Sequence, residues 1–284
     1  MWRVVTDSTM DLPSDLVERY GIVVVPIRIH FGEETYLDKV DLSEDDFYRL
    51  IEERGVIPKT SQVTPGQLVE AYERLYQEGV REILSIHISS HLSGSYESAV
   101  QAARMVADKM RVIPFDSLSG SGGLGFMALE AAKMALEGKS LKSVLQRLER
   151  MREAMRIYLM LDNLKFPQMS GRVTFVQQVV ASMLRLKMIV AVRTGRLVPT
   201  DKVRTRQRAL ERLVQLVAEE HDKRPLHIGS MHARAPDTMQ RLLSLARRRL
   251  NVVSEITTSL ATSVAVHLGP GTVGIVAYPA DLEQ

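Results

Sequence analysis

The strongest constraint on the fold is one junction. The apolar run Ile83 to Ile88 passes straight into Ser89-Ser90-His91-Leu92-Ser93-Gly94-Ser95-Tyr96. Then come Ala99, Ala102, Ala103 and Val106, which share one helical face. A strand, a hydroxyl-rich loop and a helix in that order form half of a parallel β-α-β unit, because parallel neighbours need a crossover connection. The pattern recurs. Arg3 to Thr6, Ile22 to Ile29 and Arg111 to Phe115 read as further strands, and Leu68, Ala71, Tyr72, Leu75 and Tyr76 as one face of a further helix. Ligands of such sheets sit outside the carboxyl ends of the strands. A second run, Lys59-Thr60-Ser61-Gln62-Val63-Thr64-Pro65, also crowds small hydroxyl residues into a loop that opens a helix. Both loops offer backbone N–H groups, the positive end of a helix dipole and hydroxyl donors, which suits a single carboxylate or phosphate.

Leu141 to Arg156 reads as a long helix bridging two domains. Strand-like runs follow at Ile157 to Leu161, Met188 to Val192, Arg196 to Pro199, Leu226 to Met231, Asn251 to Thr257 and Val273 to Tyr278. Helices are expected over Val173 to Leu184, Thr205 to His221 and Ala235 to Leu250. The expectation is an α/β fold in two domains. Residues 1–155 form an N-terminal domain with a mainly parallel sheet, flanking helices and the carboxylate-binding loops. Residues 156–284 form a C-terminal α/β domain with a mixed or antiparallel sheet.

Several function classes are disfavoured. The chain has no cysteine, which removes disulfides, thiolate metal sites and thiol nucleophiles. No apolar stretch approaches the ~20 residues of a membrane span, and Met1 to Asp7 enters a strand with no signal peptide, so a cytoplasmic protein is expected. Of the seven histidines only His87 and His91 have H-x-x-x-H spacing, and they fall across the end of an apolar strand run and the loop after it, not on one helix face, so no metal is expected. Between Arg185 and Arg212 stand nine Lys/Arg against Asp201 and Glu211, a stretch that suits an acidic partner. Without aromatic interleaving or a helix-turn-helix pattern it does not point to nucleic acid.

Two enzyme readings compete with a binding role. Gly120-Ser121-Gly122-Gly123-Leu124-Gly125 satisfies G-x-G-x-x-G, a dinucleotide signature. The same pattern recurs at Gly269 to Gly274 ahead of a strand, and the first strand–helix turn, Asp7-Ser8-Thr9-Met10-Asp11, has no glycine. Close helix–sheet packing is the favoured reading of Gly122, Gly123 and Gly125. A hydrolase triad assembled from Ser93, His267 and Asp7 lacks the G-x-S-x-G elbow. Asp7, Ser8 and Thr9 are instead expected to act as helix caps and loop ties.

Taken in order, Asp7-Ser8-Thr9-Met10-Asp11-Leu12-Pro13, Lys59-Thr60-Ser61-Gln62, Ile88 to Tyr96, Asp116-Ser117, Ser121-Gly122-Gly123-Leu124-Gly125, Gly171-Arg172, Lys202-Val203-Arg204 and His267 to Gly274 resemble the motifs of the DegV family of fatty-acid-binding proteins. The resemblance is collinear over nearly the whole chain. It implies a two-domain carrier, with no catalytic turnover and no cofactor, that buries one long-chain fatty acid in a tunnel. It also implies presentation of the carboxylate to a separate fatty acid kinase subunit, with membrane contact at most transient. By motif, Thr60 or Ser61, Ser93, the Gly94 N–H and His267 correspond to the carboxylate-binding set. Arg172 and Arg204 match arginines that face the kinase. In place of the usual Lys-Gly-Gly-Arg, this chain reads Lys165-Phe166-Pro167-Gln168-Met169-Ser170-Gly171-Arg172, which alters that loop. Fourteen methionines, ten of them between Met105 and Met188, suit an adaptable acyl tunnel.

Overall fold

The computed structural model describes residues 2–173 and 186–283. The chain divides into two compact units, Met1–Arg152 with Ala261–Ser263, and Glu153–Leu260 with Val264–Gln284.

The first unit runs β1 (Trp2–Asp7), α1 (Ser14–Arg19), β2 (Val23–Val25), β3 (Arg28–Phe31), β4 (Glu34–Leu37), α2 (Glu44–Arg54), β5 (Lys59–Ser61), α3 (Pro65–Gln77), β6 (Glu82–His87), α4 (Ser95–Met105), β7 (Arg111–Asp116), α5 (Ser121–Leu136) and α6 (Leu141–Ala154). Its main sheet has the order β2-β1-β6-β7, with every pair parallel. The central strand β6 is buried from Ile83 to His87, as a strand covered on both faces must be. Leu68, Tyr72 and Leu75 of α3 and Ala99 and Ala102 of α4 close one core against Val5 and Ile83. α3 starts where the sequence says it should: Thr64 and Gln67 form a capping box, and Pro65 occupies the first turn.

Two local expectations fail. Ile22 to Ile29 is not one strand. Pro26, which has no N–H to give a ladder, separates β2 from β3, and β3 joins a second, antiparallel sheet of order β4-β3-β5. The run Lys59 to Pro65 is accordingly not all loop, since Lys59–Ser61 is a strand of that sheet.

The second unit runs β8 (Arg156–Leu161), α7 (Lys165–Ser170), β9 (Lys187–Arg193), β10 (Arg196–Val203), α8 (Arg206–His221), β11 (Pro225–His232), α9 (Pro236–Arg249), β12 (Asn251–Ser259), α10 (Thr262–Leu268) and β13 (Val273–Pro279), closing on a 3-10 turn, Ala280–Glu283. Residues 261–263, at the start of α10, belong to the first unit. The sheet order is β10-β9-β8-β13-β11-β12, antiparallel except for β11 with β12, so the mixed sheet is as expected. Leu213 and Val217 of α8 and Leu242 and Leu243 of α9 pack on Tyr158 and Ile228. Met160 and Met239 lie in this core and Met110 in the first, so these three are core filler. The helix expected over Val173 to Leu184 falls, beyond Val173, outside the described residues. Among the described residues no helix is long and apolar enough to cross a membrane.

Candidate functional site

The two hydroxyl runs of the first unit meet. Gln62, directly after β5, lies against Gly94: a Cβ there would stand 2.0 Å from Gln62 Oε1. Gln62 Nε2 also donates to Ser98 Oγ of α4 at 3.2 Å. Gly94 is the N-cap of α4 and brings no side chain to the helix end. Ser93 Oγ accepts from Ser95 N–H at 3.3 Å and meets Ser95 Oγ at 3.0 Å, while Ser93 N–H donates to Ser89 O at 3.1 Å. A hydroxyl and a helix start without a side-chain cap therefore sit together at the carboxyl end of β6, the arrangement that receives small anions.

Thr60 and Ser61 point to opposite faces of their sheet, because side chains alternate along a strand. Thr60 pairs in register with Ile29, whose face is covered by α2 through Phe31 and Phe47, their ring centroids 6.3 Å apart. Ser61 pairs with Arg28 on the other face, where its Oγ meets His30 Nε2 at 2.9 Å. His30 Nδ1 meets Thr35 Oγ1, also at 2.9 Å. β5 thus offers one side of the sheet Thr60 and the other Ser61.

Behind these loops lies a closed polar network. Asp7, at the end of β1, is fully buried. Its Oδ2 accepts from His87 Nδ1 at 2.9 Å and from Ile88 N–H at 3.2 Å; its Oδ1 accepts from Thr9 N–H at 3.2 Å and from the Thr9 hydroxyl. Burial pushes this carboxyl up, but the His87, Thr9 and Ile88 donors outweigh it and hold it below its ordinary value. His87 Nε2 meets Ser85 Oγ at 2.8 Å, and Ser85 Oγ meets the Tyr72 hydroxyl at 2.8 Å. Asp7 is therefore unavailable to any triad with Ser93 and His267. Nor do Asp7, Ser8 and Thr9 cap a helix: α1 starts after Pro13, with no side-chain cap. They are loop ties.

Four residues on, Asp11 accepts from Ala261 N–H at 2.7 Å and Ser121 Oγ at 2.5 Å, with Lys39 Nζ 3.8 Å away. Asp38 accepts from Ser8 at 2.7 Å, Thr262 at 2.6 Å and Ser263. Burial pushes Asp11 up to about 6, helped by the nearby Asp38 charge and opposed by Lys39, Ser121 and Ala261. The start of α5 is thus tied to Asp11, and a Cβ on Gly125 would stand 2.7 Å from Asp11 O. Gly125 serves close packing of α5 against the loop after β1, and Gly122 and Gly123 are buried in the same turn, which favours packing over a dinucleotide turn.

In the second unit, His267 lies in the last turn of α10 and is half-buried. Burial, and then the Arg172 guanidinium, push its imidazole down to about 4, so it is uncharged near neutral pH. The following turn is held by the loop after β8. Asn163 Nδ2 donates to Pro270 O at 3.3 Å, and a Cβ on Gly271, at φ +84°, would stand 2.7 Å from Asp162 Cβ. Asp162 binds Lys187 at 2.9 Å and Arg206 at 2.8 Å. Arg172 and Arg204 are both exposed. Half of the basic stretch is consumed internally: Lys187 and Arg206 pair with Asp162, Arg193 with Glu220, and Arg212 with Asp201 and Glu219. Arg196, Lys202, Arg204 and Arg208 form no ion pair among the described residues. Among those residues no cluster of three His, Asp or Glu could hold a metal ion.

The sequence profile described as "Uncharacterised protein, DegV family" matches residues 1–280. A DegV domain-containing protein of Halalkalibacterium halodurans is 34% identical over 277 residues, 97% of each chain. Among solved structures, one described as the fatty acid binding of a DegV family protein from Thermus thermophilus superposes with a TM-score of 0.90 at 30% identity, covering 98% of this chain and 99% of that one. DegV of Bacillus subtilis, described as a fatty acid binding protein, gives 0.86 at 32% identity over the same shares.

Proposed function

The chain belongs to the DegV family, and on that premise we propose that it is a carrier that binds one long-chain fatty acid. The observation that carries this reading is the Ser93–Gly94 start of α4, closed by Gln62 from the other hydroxyl run. It combines a hydroxyl with a helix N-terminus that lacks a side-chain cap. Such a site holds a carboxylate through charge-assisted hydrogen bonds. Likeness to proteins described as fatty-acid-binding supports the same ligand. The acyl chain supplies ~0.8 kcal/mol for each buried methylene, so the head group need only orient it.

In this proposal Ser93, the Gly94 N–H and one of Thr60 and Ser61 hold the head group. His267, being uncharged, is a hydrogen-bonding neighbour of it and not its counter-ion. We further propose that the bound carboxylate is presented to a separate kinase subunit, which makes the acyl phosphate with ATP and docks at Arg172 and Arg204. Their exposure, and the absence of an acidic partner for Arg204 among the described residues, support that role.

Gentle organic extraction of the purified protein followed by mass spectrometry should release a long-chain fatty acid; a nucleotide in its place would favour the dinucleotide enzyme. Ser93→Ala should weaken palmitate binding by ~1.5–3 kcal/mol, one hydrogen bond to a charged group, and leave hexadecanol nearly unaffected. Equal losses for acid and alcohol would remove Ser93 from the head-group site. Arg204→Ala should change palmitate affinity by less than ~0.5 kcal/mol, as an exposed substitution does, while slowing acyl phosphate formation with a cognate kinase.

A further inference from the structure

The main-chain ladder between β1 and β6 ends at the pair Thr6 and Ile86. Beyond it the two strand ends are joined by side chains. Asp7 takes the N–H of Ile88, the first residue of the loop that carries Ser93, and the N–H and hydroxyl of Thr9 in the loop after β1. The next links run outward: Ser89 N–H donates to Ser119 O at 2.8 Å, and Ser93 N–H to Ser89 O. The backbone that leads to Ser93 is thus fixed at its first residue, Ile88, by one carboxylate, and farther along by Ser119 O and Asp116.

That orientation is set by His87. Asp7 can only accept, so Nδ1 of the imidazole carries a proton. At the other end, the Tyr72 hydroxyl has no hydrogen-bond partner but Ser85 among the described residues, and burial holds its phenol above the ordinary tyrosine range, so it keeps its proton and donates. Ser85 accepts that bond and gives its own hydrogen to His87 Nε2. Tyr72, Ser85, His87 and Asp7 form a one-way chain of donors, each fully buried. The Asp, His and Ser do not form a catalytic triad: the Ser85 hydrogen is committed to Nε2, its lone pair to Tyr72, and its side chain is wholly buried.

We infer that Asp7 and His87 are positioning residues for the head-group loop, His87 being held with its proton on Nδ1 so that Asp7 fixes the backbone from Ile88 to Ser93. The inference rests on the reading of Ser93 as a head-group ligand. It assigns these residues no contact with the fatty acid.

Two substitutions separate the ends of the imidazole in the intact protein. His87→Asn can keep an N–H where Nδ1 donates to Asp7 but loses Ser85. His87→Gln reaches Ser85 and loses Asp7. With palmitate and hexadecanol as probes, Asn should keep the preference for acid over alcohol within about threefold, whereas Gln should lose about tenfold or more of it, the worth of one good hydrogen bond. A merely structural role would lower both ligands' affinity together, or harm both variants alike, and either result overturns the inference. Ser93→Ala belongs in the same assay. If it leaves the acid preference intact, the head-group reading itself fails and this inference with it. If Ser93→Ala lowers the preference and His87→Gln does not, only the inference fails. Should His87→Gln not fold, 15N spectra of the wild type decide: a protonated Nδ1 and a lone pair on Nε2 support it, and the opposite tautomer or a doubly protonated ring overturns it.

Discussion

Asp7 and Asp11 stand four residues apart on one loop, both almost wholly shielded from solvent, yet their carboxyls move in opposite directions. Burial raises both. What differs is the company. Asp7 has four donors, including an imidazole and two main-chain N–H groups, and among the described residues no neighbouring carboxylate raises it. Asp11 has Ser121, Ala261 N–H and a distant Lys39, and is repelled by Asp38. One is a fully satisfied anion that locks strand ends; the other is held ionised only with difficulty. Burial alone predicts neither the charge nor the role of an acid, and the donor count must be read beside it.

The largest test of this contrast is Asp7→Asn. The amide cannot accept from all four donors, so unfolding free energy should fall by ~3–5 kcal/mol, a lost hydrogen bond to a buried carboxylate together with a buried donor left unpaired. Denaturant titration measures it. A loss below ~1 kcal/mol would mean that the network is not what holds the two strand ends.

Asp11→Asn should behave differently, and its signature is in pH. The folded state holds the Asp11 proton more tightly than the unfolded chain does. Its contribution to stability is therefore fully present below pH ~4 and is lost as pH rises through about 6. Relative to Asp11→Asn, the wild type should become less stable over that window by on the order of 3 kcal/mol. Parallel stability curves for the two proteins would show that Asp11 is not raised, and the contrast with Asp7 would collapse.

Much of this was legible in the chain, and what was not has identifiable causes. The Ile83 to Tyr96 junction announced a strand, loop and helix because a long apolar run met small hydroxyl residues directly. The sheet β4-β3-β5 is hidden by strands of three or four residues, too short to show a period, and by Pro26, which breaks an otherwise continuous apolar run. Gln62 stood inside a recognised motif, but only the absent Cβ of Gly94 reveals why it matters. His87 carries no signal of its own in the sequence, being one histidine at the end of an apolar strand. Its partner, Asp7, lies eighty positions away and becomes its neighbour only once β1 and β6 are paired in register. Asp11 and Asp38 were still less accessible, since their partners at 261–263 lie more than two hundred residues along the chain.

The smallest expected effect sharpens the contrast most. Lys39 lies 3.8 Å from Asp11, and its Nζ also donates to Met10 O at 2.7 Å, with 38% of its side chain exposed. Its backbone sits at φ +63°, a conformation that costs any side chain some strain, so a glycine there would mix relief of strain with loss of charge. Lys39→Met keeps the strain and most of the apolar stem and removes only the charge and the donor. Because water and salt screen so exposed a cation, stability near neutral pH should change by less than ~1 kcal/mol. The direction is nonetheless fixed: without Lys39, nothing but Ser121 and Ala261 opposes burial, and the Asp11 transition should move upward from about 6. Stability against pH for Lys39→Met, compared with the double variant that also carries Asp11→Asn, isolates that shift. High salt should bring the wild-type curve toward that of Lys39→Met. An unmoved transition would mean that Lys39 serves Met10 O alone, and that no cation contributes to the difference between the two aspartates.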